Sequence, residues 1–207
     1  LNSQAWPRSQ TKLVLAVDAP TAFYERVRRW VAKCDYRDVR VIHSHVAGQQ
    51  LADADRRRPE VYEAVASRVA AIYRDACQAV TTDYVVFVED DVIPPLDAIA
   101  KLMAAMDRDV CSVSACYYGR YHRGLVAWDD AERFGEFIPW SRSGVEPVGG
   151  NGFGCVLFRT KVLQEVGVCS GTAGGYDQNL YREIARGGKW RSLLNHDVMC
   201  QHLGGCL

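Results

Sequence analysis

The first apolar run follows a polar start, Leu1 to Gln10. Residues 12–18, Lys-Leu-Val-Leu-Ala-Val-Asp, predict a buried first strand that ends at Ala19-Pro20-Thr21. Phe23, Val27, Trp30 and Val31 then recur at helical spacing, predicting a helix over Thr21–Cys34 with Thr21 as N-cap. Val39–His43 reads as a second short strand and 47–59 as a loop. Val61, Val65, Val69, Ile72 and Ala76 predict a long helix from Pro59 to about Val80. Tyr84–Val88 is apolar at every position, the pattern of a strand covered on both faces and central in a parallel sheet.

Further on, Pro94-Pro95 begins a helix through Met106, Val110–Ala115 is a strand, and 117–150 lacks a clear period. Cys155–Phe158 is a strand leading into a helix near Thr160–Val166. A Gly-rich loop, Gly167–Gly175, precedes a helix over Tyr176–Ala185. A strand at Trp190–Leu194 and the segment His196–His202 close the pattern. Alternating strands and helices predict an open, twisted α/β sheet. Ligands bind such sheets at the carboxyl ends of the strands. That edge holds Glu89-Asp90-Asp91, directly after the Tyr84–Val88 run.

Three adjacent carboxylates repel one another unless a cation or basic group offsets them. Alternation along a strand turns Glu89 and Asp91 to one side and Asp90 to the other. Two hard oxygen donors in that arrangement suit Mg²⁺ or Mn²⁺, which complete their shells with water and phosphate oxygens. The other reading of the triplet is a solvated strand end feeding a helix N-terminus.

Composition narrows the field. The chain has 207 residues, 48% hydrophobic and 24% charged, with 25 basic and 25 acidic side chains in balance. No global field draws it to nucleic acid or membrane. No apolar run approaches the roughly 20 residues of a membrane helix. None of the eight cysteines forms Cys-x-x-Cys, and most lie in apolar segments, as expected of free thiols in a reducing cytoplasm. Cys200 and Cys206 are the pair to check for a disulfide.

Four stretches in order resemble the GT-A nucleotide-sugar glycosyltransferases, most closely the family 2-like members. Thr82–Pro95 resembles their strand and Asp-x-Asp motif, here Glu-Asp-Asp. Gly149–Arg159 resembles their Gly-rich turn, strand and Arg. Gly175–Leu180 resembles their acidic helix start, and Asp197–His202 their last strand with its metal-binding His. The resemblance implies a single GT-A (Rossmann-like) α/β domain with a central, mostly parallel twisted sheet flanked by helices. Residues 12–95 would form its nucleotide-binding half and 96–207 its acceptor-binding half, after an N-terminal arm at 1–11.

The same resemblance implies the chemistry. A divalent metal, Mn²⁺ or Mg²⁺, would be held by Asp91, Glu89 and His202, with His196 the rival nitrogen. Glu89 and Asp90 would also serve the nucleotide-diphosphate sugar, together with Arg74, Asn151 and Gly152. Asp177 would be the general base that deprotonates an acceptor hydroxyl, giving inversion at the anomeric carbon. Arg suits bidentate phosphate contact, and a turn glycine lets backbone N–H groups approach a ligand.

Three departures from the family pattern leave the nucleobase open: Glu89 stands where Asp is common, Asp18-Ala19-Pro20-Thr21 follows the first strand, and the second ends His43-Ser44-His45. The segment Tyr117–Gly124, with Trp128 and Trp140, is aromatic and basic and lies where these enzymes meet their acceptors. Such faces stack on sugars or unpaired bases, so a saccharide, glycolipid, protein or hydroxymethylated DNA base fits as acceptor. Two other readings stay open. A sugar-phosphate nucleotidyltransferase would want a Gly-rich phosphate loop after the first strand, and residues 18–29 contain no glycine. A non-catalytic nucleotide- or carbohydrate-binding domain would have no need of Asp91, Asp177 and His202 together.

Overall fold

The computed structural model describes residues 4–43, 58–119, 124–132, 137–139, 143–168 and 175–203. The chain packs as two compact units. The first comprises Pro7–Thr81 and Val168–Tyr176; the second comprises Leu1–Trp6, Thr82–Gly167 and Asp177–Leu207.

In the first unit a 3₁₀ turn, Arg8–Gln10, leads into β1 (Lys12–Val17), followed by α1 (Thr21–Val31), β2 (Asp38–His43) and α2 (Pro59–Ala79). β1 and β2 pair in parallel from Lys12↔Asp38 to Val17↔His43. A parallel pair needs a crossover between its strands, and α1 supplies it. The N-cap of α1 is Pro20, and Thr21 is already the first helical residue, so the expected Thr21 cap is displaced by one position. The helix stops at Val31, short of Cys34, where Lys33 and Cys34 donate turn bonds to the carbonyls of Trp30 and Val31. α2 starts on Pro59, at the position where a missing N–H costs nothing. Asp18, at the end of β1, is gripped by the Arg68 guanidinium from α2.

The second unit holds β3 (Tyr84–Val88), β4 (Val92–Ile93), α3 (Ala98–Ala104), β5 (Val110–Cys116) and β6 (Ala127–Trp128). It continues with β7 (Val145–Val148), β8 (Gly150–Asn151), β9 (Cys155–Arg159), α4 (Thr160–Val166), α5 (Tyr176–Arg186, of which Tyr176 counts with the first unit), β10 (Arg191–Met199) and β11 (Gln201–His202). Its main sheet has the order β3-β9-β5-β10-β7. β5 and β10 are parallel; β9 runs against β3 and β5, and β7 against β10. Three strands, β3, β5 and β10, therefore share one direction. β3 stands at the end of this row with an antiparallel neighbour, not at its centre. Its apolar run reports burial of its faces, which carries no information about the direction of its partner.

β5 is buried at all seven positions. Leu102, Val113 and Val198 pack in the same core at 0% exposure. A second group of aromatics stacks around Phe153, whose ring lies 5.5 Å from both Phe87 and Phe158. β10 is longer than the Trp190–Leu194 pattern suggested, because it continues through a bulge. Asn195 pairs with Ala115 and Met199 with Cys116, leaving His196, Asp197 and Val198 as an insertion against β5. Beyond the bulge β11 pairs antiparallel with β4, Gln201 opposite Ile93 and His202 opposite Val92.

Two further expectations shift. The helix foreseen from Pro94 starts at Ala98, since Pro94-Pro95 holds the preceding backbone extended and Val92–Ile93 is taken up in β4. The stretch 117–150 holds β6, β7 and, from Gly150, β8 among its described residues. The N-terminal arm divides between the units: the Ala5 N–H donates to the Leu96 carbonyl at 2.8 Å and the Gln4 amide to that of Pro95 at 2.7 Å. No helix among the described residues is long and apolar enough to cross a membrane.

Candidate active site

β3 delivers the acid triplet into a turn. The Val92 N–H donates to the Glu89 carbonyl at 3.1 Å, and the Glu89 N–H donates to the Gly154 carbonyl at 3.0 Å. Asp90 is exposed at the tip, while Glu89 and Asp91 are partly buried. The β4–β11 pair then carries the C-terminal segment back over the turn, and the Leu203 N–H donates to the Asp91 carbonyl at 2.7 Å.

That return brings His202 to Asp91. His202 Nε2 lies 3.3 Å from Asp91 Oδ2, and Nδ1 lies 2.7 Å from the Tyr118 carbonyl oxygen. A carbonyl only accepts, so Nδ1 carries the proton and donates it. In the neutral ring, Nε2 is then left with its lone pair toward the carboxylate. Two lone pairs face each other, an arrangement that suits a cation between them. A histidine whose second nitrogen is fixed by a backbone carbonyl is also the usual setting of a metal ligand. The imidazole is well shielded, with its side chain 10% exposed.

Glu89 does not complete a triad with this pair. Among the described residues no group of three or more His, Cys, Asp or Glu side chains is arranged to hold a metal ion. The turn directs the influence of Glu89 elsewhere, since its charge acts on Tyr117 and Asp177. His196, the rival to His202, is engaged on its own: its Nε2 lies 2.8 Å from Glu146 Oε1 and its Nδ1 3.8 Å from Cys116 Sγ.

Asp177 lies in the first turn of α5, where a carboxylate is favoured by the helix dipole. Its Oδ1 accepts the Gln178 N–H at 2.8 Å. Burial raises its pKa to about 6, Glu89 adds to the rise, and the backbone N–H donors oppose it. A carboxyl tuned toward neutrality is suited to taking a proton near physiological pH.

Asn151 and Gly152 were expected at a turn touching the donor. Asn151 instead sits in β8 at 0% exposure; its Oδ1 accepts the Tyr181 hydroxyl and its amide donates to the Gly152 carbonyl at 2.6 Å. Both ends of the amide are consumed, so it braces the turn from inside. Gly152 is demanded by packing: a Cβ there would press into the Tyr117 hydroxyl and stand 2.7 Å from Val126 Cγ1. Arg74 is exposed on α2 in the first unit, next to Tyr73, whose ring stacks on Tyr176 at 5.2 Å. His43 stacks on Tyr24 at 4.3 Å and its Nε2 lies 2.8 Å from the Ala19 carbonyl; Ser44 and His45 fall outside the described residues.

The aromatic segment also divides differently from expectation. Tyr117 and Trp128 are core residues at 4% and 3% exposure, whereas residues 120–123 and Trp140 fall outside the described residues. Tyr117 opens the segment expected near the acceptor and itself lies in the core; a tyrosine at the end of an apolar strand gives no sign of which way it turns. Cys200 is a buried free thiol hydrogen-bonded to Cys155, and Cys206 lies outside the described residues.

The family model for glycosyl transferase family 2 matches residues 49–167, more than half of the chain. No curated protein matches it. Among the solved structures that share its fold are two glycosyltransferases. The mannosyltransferase PcManGT from Pyrobaculum calidifontis, in complex with GDP-Man and Mn²⁺, superposes with TM-score 0.62 at 16% identity, over 97% of this chain and 50% of that one. GalNAc-T7 with UDP, GalNAc and Mn²⁺ superposes with TM-score 0.55 at 10% identity, over 92% of this chain and 43% of that one. The chain thus spans about half the length of the first of these.

Proposed function

The chain belongs to glycosyl transferase family 2, and from that premise we propose that it moves a sugar from a nucleotide-diphosphate sugar to an acceptor hydroxyl, with inversion and with the help of a divalent metal. The observation that carries this reading is the Asp91–His202 pair at 3.3 Å, with the imidazole tautomer set by Tyr118. The carboxylate oxygen suits Mn²⁺ or Mg²⁺, and a neutral imidazole nitrogen is a common metal ligand beside it. When bound, the metal would supply positive charge to the departing diphosphate. Two protein donors leave the remaining positions to water and phosphate, as such ions prefer.

The remaining roles belong to the same proposal. Asp177 takes the proton of the acceptor hydroxyl; its raised pKa matches that task, and a base acting on the incoming hydroxyl gives inversion. Glu89 and Asp90, at the mouth of the β3 turn, serve the donor sugar and ribose. Glu89 also keeps negative charge near Asp177, which favours proton uptake. Gly152 shapes the adjacent turn and Asn151 braces it. Arg74 contributes to the diphosphate as a guanidinium suited to bidentate contact. The six described cysteines are free thiols, which supports a cytoplasmic setting.

A thermal-shift series with UDP, GDP and CDP and their sugar conjugates, each with Mn²⁺, Mg²⁺ or EDTA, tests the reading. A ligand at 100 times its dissociation constant adds about 2.7 kcal/mol. Stabilisation that requires both one nucleotide and metal is the expected outcome. Stabilisation by none of the combinations, with Mn²⁺ alone also unbound, overturns the reading.

A further inference from the structure

We propose that Tyr117 is a positioning residue for the transfer reaction, the side chain that sets His202 in place relative to the turn carrying Glu89. The proposal rests on the metal-dependent reading above and assigns a role to a residue outside that ligand set.

Tyr117 follows the last residue of β5 and is 4% exposed. Its two ends meet different parts of the site. The ring packs against the His202 ring nearly perpendicularly, with centroids 5.6 Å apart and planes at 84°. The hydroxyl accepts the Gly154 N–H at 3.0 Å in a buried bond. Gly154 in turn accepts the Glu89 N–H at its carbonyl. One side chain therefore spans from the imidazole to the backbone that fixes Glu89. The main chain reinforces this: the Tyr118 carbonyl holds His202 Nδ1, and the Tyr117 carbonyl accepts the Val126 N–H at 3.0 Å.

The glycines beside it supply a second line of evidence. A Cβ at Gly154 would lie 2.6 Å from Tyr117 Cζ, and one at Gly152 would press into the hydroxyl. The turn is built of glycine on the side where the phenol enters. A leucine or phenylalanine at 117 would fill much of this space. Only a phenol also provides a hydroxyl to satisfy the buried Gly154 N–H, which would otherwise lose its partner. The hydroxyl stays neutral, because burial and then Glu89 raise its pKa well above the usual tyrosine value.

The test uses the full chain and two variants, Tyr117→Phe and Tyr117→Leu. Mn²⁺ binding without donor is read from the electron paramagnetic resonance signal of the free ion, and transfer is followed across a Mn²⁺ series. Removing an outer partner of a metal ligand costs about 10–100-fold in metal affinity. Tyr117→Phe keeps the ring and is expected at the lower end, about tenfold, with kcat restored at saturating Mn²⁺. Tyr117→Leu also loses the ring edge and is expected to bind Mn²⁺ more weakly still. Wild-type Mn²⁺ affinity in Tyr117→Phe, or a kcat depressed equally at every Mn²⁺ concentration, would overturn the positioning role. A parallel His202→Ala arm keeps the two ideas apart. If His202→Ala abolishes Mn²⁺ binding and Tyr117→Phe leaves it unchanged, only the positioning role falls. If the wild-type chain binds no Mn²⁺, the metal-dependent reading falls and takes the positioning role with it. Should Tyr117→Leu fail to fold, the near-isosteric Tyr117→Phe decides the question.

Discussion

Asp91 and His202, 111 positions apart in the chain, meet with carboxylate and imidazole 3.3 Å from one another. The β4–β11 pairing, two residues on each strand, brings the C-terminal segment and His202 across the acidic turn.

If this pair holds the metal, each partner is needed. Asp91→Ala and His202→Ala should each weaken Mn²⁺ by more than about 100-fold, beyond the upper range for outer-shell changes. Isothermal titration of Mn²⁺ into the folded chain measures it. Wild-type affinity in either variant removes that residue from the ligand set.

Asp177→Asn keeps the size and removes the base. Donor binding should stay within about twofold of wild type, whereas transfer should fall by roughly 10²–10⁴, the range for general-base catalysis. Full transfer by the variant would exclude the assignment.

The raised pKa of Asp177 gives two pH dependences. The base works deprotonated, so kcat should rise with pH through about 6 and then level. The stability effect runs the other way. The unfolded chain releases this proton near the ordinary carboxylate pKa and the folded chain only near 6, so stability declines as pH rises across that interval. Asp177→Asn should therefore melt above wild type at pH 7.5, and the gap should close below about pH 4. Melting curves at the two pH values decide this.

His196 and His202 should separate cleanly. His196 is 5% exposed and engaged with Glu146, so Glu146→Ala leaves a buried imidazole short of a partner. A loss of about 1–3 kcal/mol in stability is expected. Mn²⁺ affinity should not move. A large drop in metal binding would mean that the wrong histidine has been assigned to the site.

Gly152→Ala forces a Cβ against Val126 Cγ1 at 2.7 Å, and a β-branched side chain near the backbone has little room to yield. Overpacking of this kind costs about 1–3 kcal/mol. A urea melt should show the shift in midpoint, and an unchanged midpoint would mean that the turn relaxes freely.

The parts of this fold that follow local rules were legible in the chain. β1, β3 and α2 announce themselves by apolar runs and helical spacing, and Pro59 marks its helix start. Asp177 could be placed at a helix start because the glycines before it break the pattern. What could not be read depends on distant partners. β4, β6 and β8 are two residues long, too short for any period, and exist only through the strands they meet. Asn151 was read as part of a glycine turn passing close to the sugar. Its burial comes from Tyr181, whose hydroxyl it accepts from thirty residues along the chain. The inward turn of Tyr117 has the same kind of cause, since its hydroxyl meets Gly154 from 37 residues along the chain. The acid triplet, read as a strand end, becomes a turn once Val92 bonds back to Glu89.

The bulge in β10 has a bearing on engineering. Side chains on a strand alternate, so an odd number of unpaired residues reverses the parity of everything downstream. His196, Asp197 and Val198 are three such residues. Deleting one of them would exchange the facings of Gln201 and His202, turning an amide toward Asp91 and the imidazole away. The length of this insertion, as much as the identity of the histidine, decides which side chain reaches the acidic turn. Variants that shorten or lengthen it in pairs should keep the pairing, whereas single steps should lose it.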